Sequence, residues 1–568
     1  MKPWIVLSGI ILLGCAAIMV SERQRVDTQV SAEPVLHLVG DTEQEISRLP
    51  VRLTRISDEE EVRIGDELAK GYAENWNPAG EKKTEFAEVE KYLNAVGSRV
   101  AQHTERKLPY RFHYIPQLGF VNAFALPGGH VFVGAGLIAM MDSEDELAAV
   151  LGHEIEHVDL RHCAERVQTE ARLRKLHLEP LGDLIAIPAS VFEAGYNKEQ
   201  ELAADRDGTR LAVKGNYSPL GAVRMFEALQ VFEDPQRRPP SSPQDELAQL
   251  AHETLEGYFR SHPPSAERAQ RIKESMAAES WPVKAETNLA IGYIYWVHAA
   301  ERAYAALHYD RAVALCRRAL TVRADYPQAL EVLGDASFFS AHFAEAADAY
   351  RRRLQESRSP EMVRKYTESL AARGPNSAAP REYGDWLRST HVPSAADFEL
   401  ELAGLKLLAG DGSAAQKLSD QLRLSEADPG ARGRLGWWFY RVGQYDTARE
   451  LLAGAVEERP QSREMQAALA WTLIERRQYE TALTRFSQTG ESTDTRMGKA
   501  VVYWQTKSPD DALTSYGSAI SMAPYWQNSR WVNATQSPLV QKTLTELETE
   551  RKAREEKRKQ KSGAAPDA

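Results

Sequence analysis

His153-Glu154-Ile155-Glu156-His157 is the segment of this 568-residue chain with the clearest chemistry. In a helix, positions i and i+4 share one face, so His153 and His157 can aim their imidazoles at a single ion, and zinc suits such ligands. Glu154, beside the first histidine, is placed to take a proton from an attacking water and to pass it later to a leaving amine, while the ion polarises the carbonyl under attack. The motif alone proves little. Fourteen histidines in 568 residues, with glutamate at a frequency of about 0.08, give it by chance in about 3% of such chains, so a third ligand must decide. A third histidine ten residues after the first, with glycine three before it, is missing, because Cys163 and Leu160 hold those places. What remains is a carboxylate from a second helix, and Glu199-Gln200-Glu201-Leu202-Ala203-Ala204-Asp205-Arg206-Asp207-Gly208 offers candidates.

Several elements must position these groups. Ser143-Glu144-Asp145-Glu146 is a capping box that opens the helix carrying the two histidines. Leu147, Val150, Leu151 and Val158 give that helix an apolar side, which predicts a buried, rigid platform. Upstream, Ser57-Asp58-Glu59-Glu60 starts an amphipathic helix running to about Trp76, and a second helix is expected from about Thr84 to Arg106. Short strands are expected over Arg111–Ile115 and on both sides of the turn Pro127-Gly128-Gly129. Asn122, Ala123, Phe124 and Ala125 read as an edge strand over the cleft, to which an extended substrate could add by backbone pairing; an ordinary hairpin has the same pattern. Residues 180 to 195 are apolar but interrupted by Asp183, Pro188 and Glu193, which predicts a loop or an amphipathic helix near a membrane surface rather than a span.

These segments together resemble the zinc metallopeptidases that include the CAAX prenyl endopeptidases and the bacterial protease HtpX, and most of all their periplasmic, BepA-type branch. The resemblance rests on Asn122 to Gly129, Gly152 through His157, His162, Glu201 to Asp205 and Ser261-His262-Pro263, in the family's order over about residues 57 to 272. It implies a gluzincin-type domain of helices and a small β-sheet, with one zinc ion held by His153, His157 and Glu201. Asp205, one turn after Glu201, would then hold a ligand histidine in its tautomer. His162 would orient the site or be a satisfied structural histidine. His262 would return to the cleft as a transition-state donor or reversible fourth ligand, or sit in a surface loop. Asn197-Lys198 and Ala203 depart from the family's usual Ser-Arg and Glu.

From about residue 285 the texture becomes alanine-rich and helical, with a 34-residue repeat. Gly436, Tyr445, Ala448 and Leu452 return as Ala470, Tyr479, Ala482 and Phe486, and Tyr309, Ala312 and Cys316 return as Phe343, Ala346 and Tyr350. Ala500, Ala512, Tyr516 and Pro524 form a weaker unit, and Arg351 to Asp428 is expected to hold degenerate ones. This is the tetratricopeptide period, in which small residues let paired helices approach while aromatics fill the gaps. The expected fold is mostly α, a metallopeptidase domain followed by an α-solenoid. The segments are 1–20 leader, 21–55 tether, 56–280 peptidase domain, 285–540 repeats and 541–568 charged helix and tail.

The totals narrow the function. A net charge of −11, with no basic patch before the last residues, argues against nucleic acid as a partner. Three cysteines exclude a disulfide scaffold or a cysteine-rich zinc module, and Cys163 and Cys316 read as buried thiols. Lys2 precedes an uncharged apolar run from Pro3 to Val20 that holds Leu12-Leu13-Gly14-Cys15. A lipoprotein signal, an uncleaved membrane anchor and a cleaved secretory signal are all open, and each exports the body of the chain. The expected role is cleavage of misfolded or unassembled proteins on the periplasmic side of a bacterial envelope. The N-terminus would tether the chain to a membrane, and the repeats would recruit clients or envelope assembly machinery. A repeat scaffold or chaperone with secondary peptidase activity is the alternative.

Overall fold

The computed structural model describes residues 56–76, 82–173, 187, 190–193, 196–233, 265–356, 358–374, 378–389, 396–424 and 428–562. It forms two compact units. One holds the described residues from 56 to Leu137 and from Ser143 to Thr287, and the other those of Ile138–Asp142 and from Asn288 onward. The leader and tether lie outside the described residues, as do His262 and most of residues 180 to 195. Among the described residues, no helix is long and apolar enough to cross a membrane.

The first unit wraps seven principal helices around a small sheet: α1 (Asp58–Trp76), α2 (Lys82–Ala101), β1 (Arg111–Ile115), β2 (Ala123–Leu126), β3 (His130–Gly134), α3 (Glu144–Asp159), α4 (His162–Leu173), α5 (Lys198–Lys214), α6 (Leu220–Glu233) and α7 (Ser265–Ala278). Strand order is β1-β3-β2, with β1 parallel and β2 antiparallel to β3. Gly128 and Gly129 make the β2–β3 turn at φ +76° and +100°, which suits residues without a Cβ. α1 covers the sheet with Ile64, Leu68, Ala69 and Tyr72, a helical-period face. Tyr72 meets the stacked rings of Phe124 and Phe132 edge-on. On β1, Asn94 of α2 donates to the Phe112 carbonyl at 2.7 Å and accepts from its N–H at 3.1 Å, which occupies those backbone groups.

α3 is fixed at both ends. Ser143 Oγ accepts from Glu146 N–H at 3.2 Å and Glu146 Oε2 from Ser143 N–H at 2.9 Å, the reciprocal cap that the sequence suggests. At the other end, Arg106 donates to the Val158 carbonyl at 2.7 Å and pairs with the fully buried Glu61 at 2.5 Å. A cation there also complements the negative end of the helix dipole.

In the second unit, described helices recur with the expected period: Tyr309–Val322 returns as Phe343–Arg353, and Tyr445–Glu458 as Tyr479–Gln488. Small residues sit where bulky ones must enter. A Cβ on Gly334 would meet the Tyr350 ring at 2.4 Å, and one on Gly436 would meet Leu452 at 2.8 Å. The described helices between 360 and 424 continue the same core and add buried ion pairs to it: Glu401 accepts from Arg434 at 2.7 Å and from Thr367 at 2.6 Å, while Glu368 takes Arg434 at 2.6 Å and Arg441 at 2.7 Å. Buried charges held together this way add to the aromatic-against-glycine packing, which persists here, since a Cβ on Gly404 would meet the Trp438 ring at 2.3 Å. The charged C-terminal helix runs from Pro538 to Ser562, longer than its charge pattern alone predicts.

Candidate metal centre

The two histidines of α3 and the carboxylate of α5 converge because the helices cross at two glycines. A Cβ on Gly152 would lie 2.4 Å from Gly208 O, and one on Gly208 would lie 2.5 Å from His153 N, so the backbones touch where only hydrogen fits. Asn197 starts α5 by accepting from Gln200 N–H at 2.9 Å; this departure from the family pattern is an N-cap. One turn later, Glu201 is fully buried and faces α3.

Among the described residues, one group of three donors could hold a metal: His153, His157 and Glu201. His153 Nε2 and His157 Nε2 are 3.1 Å apart, and the Glu201 oxygens lie 3.5 Å from the first and 3.7 Å from the second. Ligands of a tetrahedral ion bound at about 2.0–2.1 Å stand about 3.4 Å apart, so the three donors fit such an ion. Each has a support. Asp205 Oδ1 lies 2.9 Å from His153 Nδ1, which leaves Nε2 to the ion. His162 Nδ1 lies 2.9 Å from His157 Nδ1. Glu201 Oε1 accepts from Tyr196 N–H at 2.8 Å, and the Tyr196 ring stacks on His157 at 4.0 Å.

Arg268 and Tyr196 complete the site, and the motifs singled out neither. Arg268 of α7 is 1% exposed and grips Asp205 with two bonds, Nε to Oδ2 at 2.8 Å and Nη2 to Oδ1 at 2.7 Å. The resulting chain Arg268–Asp205–His153 anchors the first ligand from a third helix. Its signal was present in the sequence: Ser265, Arg268, Ala269 and Ile272 form the buried face of α7, and an arginine on such a face needs a buried acid. Lysine cannot reproduce the planar two-point grip. Arg268→Lys is therefore expected to weaken zinc binding by about 10–100-fold, read by chelator competition. Unchanged affinity would remove Arg268 from the site's support.

Electrostatics follow from burial. Burial opposes a charge on His153, but Asp205 and Glu201 outweigh it and hold the imidazole up at about 10. The same burial, aided by His153, pushes His157 well below the usual histidine range. Burial also lifts the Glu154 carboxyl to about 7, with Glu201 adding and His153 opposing. Asp205 resists its own burial because Arg268 faces it, and stays below the usual carboxylate range. Glu154 and His153 border a cavity that also touches Asn122 and Ala123.

β2 lies at the edge of the sheet, yet much of that edge is occupied. Gly134 N–H donates to Asn122 O at 3.0 Å, so by antiparallel alternation Ala123 and Ala125 turn their backbone groups outward. Ala123 N–H is taken by Asn122 Oδ1 at 2.9 Å, and Cys163 Sγ contacts Ala125 O at 3.5 Å. Phe124 and Ala125 are each 1% exposed, so the end at Asn122 and Ala123 is the part that borders the cavity.

With this geometry in hand, comparison with known proteins is specific. Residues 87–276 match Peptidase family M48, and residues 439–496 match a tetratricopeptide repeat family. The chain thus carries an M48 peptidase domain followed by repeats. The beta-barrel assembly-enhancing protease of Yersinia pestis is 32% identical over 150 residues, which cover 26% of this chain and 31% of that protein. Metalloprotease YcaL of Escherichia coli is 31% identical over 172 residues, 28% of this chain and 59% of that one. Among solved structures, a tetratricopeptide repeat protein from Parabacteroides merdae aligns with 54% of this chain and 98% of its own at 13% identity and a TM-score of 0.29. The chain matches about a third of the length of the beta-barrel assembly-enhancing proteases.

Proposed function

We propose that this M48-domain chain is a zinc-dependent endopeptidase that cuts misfolded or unassembled proteins of a bacterial envelope. One observation carries the chemical part: three donors at tetrahedral spacing, half-buried His153 with buried His157 and Glu201, and the carboxyl of Glu154 beside them at the edge of a cavity. When bound, zinc polarises the scissile carbonyl and acidifies the attacking water. The chain does the rest. Glu154 accepts the water's proton and returns it to the departing nitrogen. Asp205, locked by Arg268, fixes His153, and His162 contacts the far nitrogen of His157. The end of β2 at Asn122 and Ala123 borders the cavity, and an extended substrate would lie along it.

The cellular part rests on other features. The apolar run from Pro3 to Val20 supports export and a membrane tether, by lipid or anchor helix. Repeats bury little on their own and present long surfaces to other proteins, which suits recruitment of clients or assembly machinery. Relatives named beta-barrel assembly-enhancing proteases make outer-membrane barrel proteins the first clients to test.

Metal removal tests the chemistry. Dialysis against a chelator is expected to stop cleavage of casein, and one zinc per chain to restore it. Zinc must displace the proton that Asp205 and Glu201 hold on His153, so zinc affinity falls as pH drops below about 10. Casein cleavage that survives complete loss of metal overturns the proposal.

A further inference from the structure

The first turns of α4 meet His157 from more than one side. His162 and Arg166 stand at i and i+4, and Cys163 and Arg166 at i and i+3, so the three lie close together on that helix. His162 reaches the edge of His157, Nδ1 to Nδ1, at 2.9 Å. The other two act on Tyr196. Its hydroxyl donates to Cys163 Sγ at 3.3 Å, and the guanidinium carbon of Arg166 lies 3.7 Å over its ring. The His157 imidazole is 4.0 Å from the same ring and within 22° of its plane. Two flat groups so near one ring centre cannot share a face, because their atoms would fall well inside van der Waals contact. Arg166 and His157 therefore cover opposite faces, and the order is guanidinium, phenol, imidazole. Arg166 is itself held, since its Nη1 donates to the Val191 carbonyl at 3.0 Å.

Tyr196 touches two of the three candidate ligands. Its N–H donates to Glu201 Oε1 at 2.8 Å, and its ring lies on His157, so it spans the gap between α5 and α3. A phenol stacked on one face only can slide or tilt over an imidazole. A guanidinium on the outer face is drawn to the electron-rich ring and lies flat on it, which closes the sandwich and holds the ring down. Covering the ring does not by itself call for an arginine, since Arg166 is half-buried and an apolar side chain would exclude water as well. We propose that Arg166 is a positioning residue for the metal: by pressing the Tyr196 ring onto His157, it fixes the spacing of His157 and Glu201. It acts on both ligands through Tyr196. This inference rests on the zinc-peptidase reading above.

The test is the zinc affinity of the full chain by chelator competition, together with the visible spectrum of the cobalt-loaded protein, whose bands report ligand geometry. Arg166→Met covers the ring without a charge, and is expected to weaken zinc binding by about 10–100-fold and to shift the cobalt bands. Arg166→Lys keeps the charge but not the flat face, and should fall between. Tyr196→Leu should lose at least as much as Arg166→Met. In the double variant the loss should equal that of Tyr196→Leu alone, because Arg166 then has no ring to act through. Unchanged affinity and spectrum in Arg166→Met, or losses that add in the double variant, overturn the inference while leaving the peptidase reading intact. A lower melting temperature of Arg166→Met with metal binding intact does the same, since it marks a merely structural arginine. If Tyr196→Leu fails to fold, the arginine variants decide alone. A wild-type chain that binds no zinc sinks the peptidase reading itself.

Discussion

Glu154→Gln is expected to lower casein cleavage by about 10²–10⁴-fold while zinc content and melting temperature stay near wild type. The substitution conserves shape but cannot accept a proton. Glu154 is 8% exposed and lies on the same helix as both histidine ligands, so glutamine fits without moving them. Burial has a functional side here. It lifts the carboxyl to about 7, which makes Glu154 a stronger base than a solvated glutamate while still ionised in part at neutral pH. The sign for activity follows: the protonated acid cannot take a proton from water, so kcat/KM falls as pH drops through the range where Glu154 protonates. A bound cation favours the carboxylate and moves that limb below 7. Glu154→Asp keeps the acid but withdraws it by one methylene, and is expected to fall between wild type and glutamine. Turnover of the glutamine variant within tenfold of wild type, with zinc bound, would refute the assignment of base. The same variant separates the two cellular readings. A client trapped by crosslinking to the inactive protein supports proteolysis, whereas full performance of the cellular task by that protein supports a scaffold.

Much of this site could be read along the chain because helical spacing is local. His153 and His157 share a face at i, i+4, and both capping boxes sit where their residues place them, with Glu60 N–H donating to Ser57 Oγ at 3.2 Å in the first. Repeats were legible for the same reason, since each unit recurs at a fixed distance. What escaped depends on pairs far apart in sequence. Arg268 meets Asp205 across 63 residues, and Tyr196 reaches His157 by a ring contact that leaves no periodic trace. The contacts of β2 were hidden for a related reason. An alternating pattern can place a strand at the edge of a sheet, but not reveal that Cys163 of another helix lies against it. His113 and His130 are a further case: the β1–β3 register brings them to 2.9 Å, and neither residue's neighbours foretell it.

Gly208→Ala is expected to lower both stability and zinc affinity, although alanine is the better helix former. Propensity alone favours the change by about 0.5–1 kcal/mol in a helix interior. Packing opposes it. The new Cβ would stand 2.5 Å from Gly152 C and 2.5 Å from His153 N, both backbone atoms that no rotamer can move aside. Relief requires α3 and α5 to part by close to 1 Å, because carbon and nitrogen contacts settle near 3.5 Å. Overpacking of this kind costs about 1–3 kcal/mol, more than propensity returns. The separation also falls on the metal site, since His153 and His157 ride on one helix and Glu201 on the other. Donors now 3.5 and 3.7 Å apart across that crossing would spread beyond tetrahedral spacing, and a displacement of about 1 Å can cost activity about 10²-fold. Gly517 provides the control. It lies in the helix Pro509–Met522, and a Cβ there would meet nothing within 4 Å. Gly517→Ala should therefore stabilise the repeats by the propensity term alone, without touching zinc. Calorimetry and chelator competition on the two variants should give opposite signs in stability and a loss of zinc affinity in Gly208→Ala only. A Gly208→Ala protein that melts at or above wild type with full zinc affinity would mean that the two helices do not cross backbone to backbone, and that the spacing of the donors is set by something else.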